Sequence, residues 1–94
     1  MFSLKEKTAI ISGGSKGIGK SIAFKYAEAG ANVVICSRKK NNLDSAIKDA
    51  QTAGFNITGI ECNTGEIESI NNVVSKTIDQ FGRVDILVNN AAAN

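Results

Sequence analysis

The sequence lacks histidine and tryptophan and contains only one tyrosine and two cysteines. Without histidine, the chain cannot form a Ser-His-Asp triad, a histidine-ligated metal site or a histidine general base. The two cysteines, Cys36 and Cys62, lie inside apolar runs and not at metal-ligand spacing. We therefore expect buried thiols in a reducing compartment and no metal site.

Long apolar stretches and a strong excess of one charge are also missing. No run is long enough to cross a bilayer, and Lys5, Glu6 and Lys7 stand where a signal peptide would be apolar. The net charge of +2 is too small to indicate a nucleic-acid partner. With 43% hydrophobic and 21% charged residues, the sequence predicts a cytoplasmic globular protein that binds neither membranes nor nucleic acid.

The 94 residues allow one domain at most, and apolar runs alternate in it with segments of helical period. This alternation predicts four strands joined by three helices, with strands expected at residues 8–12, 31–36, 56–62 and 84–88. The first helix is expected from about Gly17 and the second from an N-cap at Asn42, and the third is expected to have Glu66 and Glu68 in its first turn. The third helix is expected to bury an apolar stripe formed by Ile67, Ile70, Val74, Ile78 and Phe81.

Right-handed crossovers place these strands in the order 3-2-1-4 of a parallel sheet. Residues 1–94 are thus expected to form an α/β domain of the doubly wound, Rossmann-like kind. It comprises the first half of such a sheet and the strand beyond its switch point. The fourth strand would form an apolar edge, which natural domains rarely leave bare. We expect further chain or a partner to pair with it.

A glycine-rich segment follows the first strand and opens into the first helix, with Gly13, Gly17 and Gly19 in the spacing G-x-x-x-G-x-G. Glycine lets the backbone approach a diphosphate closely, and a helix start offers free N–H groups and a positive partial charge. The segment therefore predicts an anion-binding loop. Its expected ligand contacts are Gly13, Ser15, Lys16, Gly17, Ile18 and Gly19.

The same segment also satisfies the G-x-x-x-x-G-K-[ST] pattern of P-loop triphosphatases, from Gly14 to Ser21. Such enzymes need an acidic residue at the end of another strand to hold magnesium. Here asparagines follow the third and fourth strands, and Asp85 lies at the wrong end of its strand. A triphosphatase stays open as an alternative, in which Lys20 would bind phosphate; otherwise Lys20 is expected to be a solvated helix residue.

Motifs along the whole chain resemble those of the short-chain dehydrogenase/reductase family. The glycine loop is similar to the family's T-G-x-x-x-G-I-G motif, with Ser12 in place of threonine. The resemblance implies cofactor contacts at the carboxyl ends of the later strands as well, at Ser37, Arg38, Asn63, Thr64, Asn90 and Ala91. The Asn-Ala-Ala-x-Asn end of the chain resembles the NADPH-dependent carbonyl reductase branch of the family.

The residues after the second strand favour NADP(H) over NAD(H). NAD-specific family members carry an acidic residue there to bind the ribose, whereas this chain has Arg38. A guanidinium binds a 2′-phosphate through charge-assisted hydrogen bonds worth about 1.5–3 kcal/mol each. Lys16 is expected to reach the same phosphate, while Lys39 and Lys40 are assigned to solvent. Asn63 replaces the family's usual aspartate at the adenine and can still accept a hydrogen bond.

No residue of the chain is expected to be catalytic. The family uses a tyrosine, a lysine four positions later and a serine, all beyond the fourth strand, whereas Tyr26 is followed at the fourth position by Gly30. The resemblance implies an NADP(H)-dependent oxidoreductase for a carbonyl or alcohol substrate, homo-oligomeric at full length. Residues 1–94 are expected to be its inactive N-terminal, cofactor-binding part, without the C-terminal catalytic part. A stand-alone nucleotide-binding module is the second alternative.

Overall fold

The computed structural model describes residues 3–90, in which strands and helices alternate as predicted. In chain order the elements are β1 (Thr8–Ser12), α1 (Gly17–Glu28), β2 (Asn32–Ser37), α2 (Lys40–Thr52), β3 (Ile57–Glu61), α3 (Ile67–Phe81) and β4 (Ile86–Asn89). No helix within this range combines the length and the apolar character needed to span a bilayer.

The strands form one parallel sheet in the order β3-β2-β1-β4, which confirms the predicted order and the α/β, Rossmann-like fold class. Ile11 of β1 is paired with Ile35 of β2 and with Val88 of β4. All five β1 residues are buried, because neighbouring strands flank β1 on both edges and helices pack on both of its faces. The connections reverse direction between β1 and β4, so the switch point of the sheet lies there.

Alternate residues of the central strands contribute to two separate cores, one on each face of the sheet. Ile11 and Ile35 pack with residues of α1 and α2, whereas Ile10 and Val34 pack with Val73 of α3. Neighbouring residues of a strand point to opposite faces, which is why β1 and β2 contribute to both cores. We call the two sides of the sheet the α1–α2 face and the α3 face.

Helix α2 begins earlier than the sequence predicted. Its N-cap is Lys39 and not Asn42, and no side-chain cap hydrogen bond forms there. The Lys39 N–H instead donates to the Ser37 hydroxyl at 3.3 Å, and the Asn42 N–H donates to the Lys39 carbonyl at 3.1 Å. Asn42 therefore lies inside the first turn of α2, directly after the end of β2.

The apolar stripe predicted for α3 is buried only in part. Of its predicted members, Val74 and Phe81 are half-buried, whereas Ile67 is 76% exposed and Ile78 is 47% exposed. The buried residues of α3 are Val73 and Thr77, which the predicted stripe did not include. Thr77 can face the core because its hydroxyl donates to the Val73 carbonyl at 2.7 Å. A helix is about 10 Å wide and strands lie about 4.8 Å apart, so one helix covers about two strands of a four-stranded face.

Candidate functional site

The carboxyl ends of β1, β2 and β4 border a crevice of about 210 Å³. Its walls come from the loop after β1, from the loop after β2 with the first turn of α2, and from the residue that follows β4. The crevice is lined by Gly13, Ser15, Lys16, Gly17, Ile18, Ser37, Arg38, Lys39, Asn42 and Asn90. The structure therefore brings together most of the residues that the sequence predicted as ligand contacts.

Two glycines shape the loop between β1 and α1 for different reasons. Gly17 has a φ of 54°, and a Cβ there would meet no atom within 4 Å, so this residue faces open space. Gly19 is buried, and a Cβ there would lie 2.2 Å from the Gly13 carbonyl oxygen. Gly19 was expected to contact the ligand, but it supports the loop from behind and is not among the lining residues.

The start of α1 offers backbone donors at the crevice. The first amides of a helix have no acceptor within the helix. In α1 the Lys20 N–H bonds back to the Lys16 carbonyl at 3.1 Å, and Lys16, the N-cap, forms no side-chain cap hydrogen bond. An anion in the crevice can therefore be bound by the amides that precede Lys20, at the positive end of the helix dipole.

Ser12, the last residue of β1, connects the glycine loop to the end of β4. Its hydroxyl accepts a hydrogen bond from the Asn90 N–H at 3.0 Å and lies 3.3 Å from the Val88 carbonyl and 3.2 Å from Asn89 Oδ1. These contacts hold Asn90 beside the loop, where its Nδ2 atom would lie 2.7 Å from a Cβ on Gly19. The structure thus uses the hydroxyl that serine shares with the family's threonine.

The crevice is lined by three basic side chains, Lys16, Arg38 and Lys39, and by no acidic one. The salt bridges formed within residues 3–90 use cations elsewhere in the molecule. The positive charge of the crevice is therefore not neutralised by a carboxylate in its walls, and it favours an anionic ligand.

Asn63, which follows β3, does not line the main crevice. It lies with Arg38 and Glu61 in a neighbouring, more open crevice. Its side-chain oxygen accepts the Gly65 N–H at 3.0 Å, and its amide nitrogen donates to Glu66 at 2.9 Å. An amide oxygen has two acceptor positions, so one remains for a ligand. Arg38 is the residue that the two crevices share.

Thr64, another predicted contact, does not line the crevice. It lines a separate cavity of about 160 Å³ between α3 and the sheet. The predicted contact at Ala91 lies outside the described residues.

Two residues of the crevice were missed by the sequence reasoning. Lys39 was assigned to solvent and Asn42 to a helix cap, yet both line the crevice with Arg38. A signal was present: both lie within five residues of the end of β2, and the carboxyl ends of the strands are where such sheets bind ligands. The misplaced helix start hid that signal.

Lys20 is not the solvated residue that the sequence predicted. Its ammonium pairs with Asp49 of α2 and lies 5.6 Å from the centroid of the Phe24 ring. A P-loop lysine must reach the nucleotide phosphates, and this lysine is engaged by α2 instead. Asp85 accepts the Thr8 N–H at 2.8 Å at the amino end of β4, far from any magnesium position beside the loop. The geometry therefore opposes the triphosphatase alternative.

The two cysteines are buried free thiols, as predicted. Burial and, to a smaller extent, the neighbouring Cys62 together raise the pKa of the Cys36 thiol to about 12. The Cys36 carbonyl accepts the Gly13 N–H at 2.9 Å, so this residue supports the glycine loop through its backbone.

Tyr26 is half-buried and packs against the core of the α1–α2 face. Within residues 3–90, no group of three or more His, Cys, Asp or Glu side chains is placed to hold a metal ion.

Comparisons with known proteins match almost the whole chain. A family model described as short chain dehydrogenase matches residues 7–94. Dehydrogenase/reductase SDR family member 4 from Oryctolagus cuniculus is 42% identical over 91 residues, which cover 97% of this chain and 35% of the relative. Tropinone reductase-like 3 from Erythroxylum coca is 36% identical over 88 residues, which cover 94% of this chain and 34% of the relative.

Solved structures share the same arrangement. The crystal structure of 2-keto-3-deoxy-D-gluconate dehydrogenase from Streptococcus agalactiae matches with a TM-score of 0.93 at 40% identity, over 99% of this chain and 35% of that chain. Glucose dehydrogenase of Caenorhabditis elegans in its apo form matches with a TM-score of 0.89 at 34% identity, over 96% of this chain and 39% of that chain. The chain spans about a third of the length of the curated relatives it matches.

Proposed function

This chain belongs to the short-chain dehydrogenase family, and we propose that it is the NADP(H)-binding part of an oxidoreductase acting on a carbonyl or alcohol substrate. Family membership brings a nicotinamide dinucleotide as the cofactor. The observation that carries the choice of NADP(H) is the crevice in which Arg38 and Lys16 lie beside the glycine loop.

The loop is suited to the pyrophosphate of a dinucleotide. Gly17 leaves its side of the loop open, while Gly19 packs against the Gly13 backbone behind it. Backbone amides at the start of α1 can donate to phosphate oxygens without any side chain intervening. A β-carbon at Gly19 would displace this backbone, so the residues present fit the group that the family binds.

The side of the crevice formed by the loop after β2 is suited to a 2′-phosphate. A carboxylate there would bind ribose hydroxyls and repel a phosphate, whereas Arg38 offers a planar set of donors with a permanent positive charge. Each charge-assisted hydrogen bond to the phosphate contributes about 1.5–3 kcal/mol. Lys16 and Lys39 add positive charge to the same crevice.

The cofactor, when bound, supplies the hydride that is exchanged with a carbonyl or alcohol carbon. This chain's residues bind and orient the cofactor: the amides before Lys20 hold its pyrophosphate, and Arg38 holds its adenosine end. None of them donates a proton to the substrate, since Tyr26 packs against the core and lacks a lysine four residues later. The catalytic acid then belongs to a part of the protein outside these 94 residues.

The names of the relatives support the proposed reaction class, because each is called a reductase or a dehydrogenase. We place the protein in the carbonyl reductase branch on the Asn-Ala-Ala-x-Asn end of the chain. We also propose that the full-length protein is a homo-oligomer and lies in the cytoplasm. The chain alone binds the dinucleotide without turning over substrate.

The test is a calorimetric titration of the purified chain and its Arg38→Asp variant with NADPH and NADH. Losing one charge-assisted hydrogen bond and gaining a repulsive carboxylate should weaken NADPH binding by about tenfold or more and leave NADH binding unchanged or stronger. Lys40→Asp is the matched control. This substitution changes the charge by the same amount two residues away, and Lys40 does not line the crevice. An unchanged NADPH-to-NADH affinity ratio in Arg38→Asp would refute the choice of NADP(H).

A further inference from the structure

Asn42 lies in the crevice, but the proposed function gives it no role. It is half-buried in the first turn of α2 and lines the crevice together with Arg38 and Lys39. Asn41, its neighbour in the sequence, is exposed and is not among the residues that line the crevice. The two adjacent asparagines therefore differ in position and not in chemistry.

The helix start gives Asn42 no structural task. The N-cap is Lys39, and no side-chain cap hydrogen bond forms at this end of α2. Two hydrogen bonds hold the loop instead. The Lys39 N–H donates to the Ser37 hydroxyl, and the Asn42 backbone N–H donates to the Lys39 carbonyl. The Asn42 carboxamide stays available to the crevice, and its NH₂ group offers two donors.

We propose that Asn42 is a specificity-determining residue, whose side-chain amide donates to the 2′-phosphate beside Arg38 and thereby favours NADP(H). This inference rests on the proposed function, because it assigns a second side chain to the same phosphate. A neutral amide suits this position, because the crevice already contains three cationic side chains. The amide adds a hydrogen-bond donor, whereas a fourth cation would be repelled by the other three when no ligand is bound.

The experiment uses two small probes that differ only in the phosphate of interest, 2′,5′-ADP and 5′-AMP. Their dissociation constants for the purified chain give a preference ratio that does not depend on the nicotinamide or on turnover. Asn42→Asp should lower the preference for 2′,5′-ADP by about tenfold, because a donor is lost and a carboxylate faces the phosphate. Asn42→Lys should raise the preference by about threefold or more, because a cation replaces the amide.

Asn41→Asp is the matched control. Both Asn→Asp changes place a carboxylate in the first turn of the same helix, where it favours the helix dipole equally. Only the change at Asn42 should move the preference ratio, and the control should stay within about twofold of the unmodified chain. Far-UV circular dichroism checks that each variant keeps its fold. If Asn42→Asp does not fold, the preference ratio of Asn42→Lys tests the role of Asn42 instead.

Arg38→Asp separates the two proposals. If Arg38→Asp loses the preference for 2′,5′-ADP while Asn42→Asp behaves like Asn41→Asp, the role of Asn42 is wrong and the proposed function stands. If the unmodified chain binds the two probes equally and Arg38→Asp changes nothing, both proposals fail. Opposite shifts for Asn42→Asp and Asn42→Lys, with Asn41→Asp silent, support the role of Asn42.

Discussion

The two faces of the sheet are built from similar apolar residues, but they are covered to different extents. On the α1–α2 face, two helices pack side by side and Ile11 and Ile35 are fully buried. On the α3 face, a single helix packs chiefly on β2, and Ile70 and Leu87 remain 39% and 67% exposed. Burial here is thus decided by how much structure lies over a residue and not by its hydrophobicity alone.

This contrast also explains where the candidate site lies. The crevice is formed by the loops that leave the well-covered strands β1 and β2, and those loops are held by backbone contacts such as the Gly13 N–H on the Cys36 carbonyl. The rigid core beneath them fixes the positions of the glycine loop and of Arg38. Precise positioning of a ligand requires such support from the elements below it.

The largest expected effect compares one isoleucine from each face. Ile35→Ala removes a fully buried side chain and should destabilise the fold by about 2–5 kcal/mol, because it leaves a cavity in the α1–α2 core. Ile67→Ala removes a side chain that is already 76% exposed and should change the stability by about 0.5 kcal/mol or less. Urea denaturation followed by circular dichroism measures both, and similar losses would contradict the contrast between the faces.

The next effect concerns the loop that the α1–α2 face supports. Gly19→Ala brings a Cβ within 2.2 Å of the Gly13 carbonyl oxygen and should cost about 3 kcal/mol, since the backbone must move. Gly17→Ala meets open space and should cost only the strain of its positive φ, about 1–2 kcal/mol. Thermal unfolding of both variants tests this order. A larger loss for Gly17→Ala would mean that backbone conformation and not close packing limits the loop.

A smaller effect tests how well α3 closes its half-covered face. Cys36 is 4% exposed, and burial, with a smaller effect of Cys62, raises the pKa of its thiol from 9.0 to about 12. The unfolded chain releases this proton above pH 9.0 and the folded chain does not, so the stability should fall as the pH rises from 9.0 toward 12. The slope is at most about 1.4 kcal/mol per pH unit.

Alkylation measures the same closure directly. Iodoacetamide should modify Cys36 far more slowly in the folded chain than in urea, and Cys36→Ala should remove the alkaline loss of stability. Rapid alkylation of the folded chain at neutral pH would show that the α3 face opens over β2.

The smallest expected effect concerns Asp85, which lies at the amino ends of the strands, whereas the crevice lies at their carboxyl ends. The Asp85 carboxylate is bound by the Arg83 guanidinium and by the Thr8 N–H, and these contacts lower the pKa of Asp85 below 3.8. Its contribution is present above pH 3.8 and is lost as the pH falls through the lowered pKa. Asp85→Asn should therefore be slightly less stable than the unmodified chain near neutral pH and equal to it in strong acid. A stability difference that persists in acid would contradict the ionic explanation.

Much of the fold could be predicted because its signals are local. The apolar run of β1, the turn after it and the glycine after each helix are readable within a few residues, and right-handed crossovers then leave one strand order. The glycine loop and Arg38 were found in the same way, since each directly follows a predicted strand. What local signals predicted poorly was the start of α2, because residues 37–42 are all polar and a cap at a later position was equally plausible.

By itself, then, the amino-acid sequence determined the order of the elements, the parallel sheet and the anion-binding loop, because periodicity and glycine spacing act between residues close in the chain. The tertiary structure alone decided that Thr77 and not Ile78 faces the core, that Lys20 pairs with Asp49, and that Asn42 joins Arg38 at the crevice. These outcomes depend on which distant element lies opposite each side chain, and periodicity within one segment carries no information about that partner.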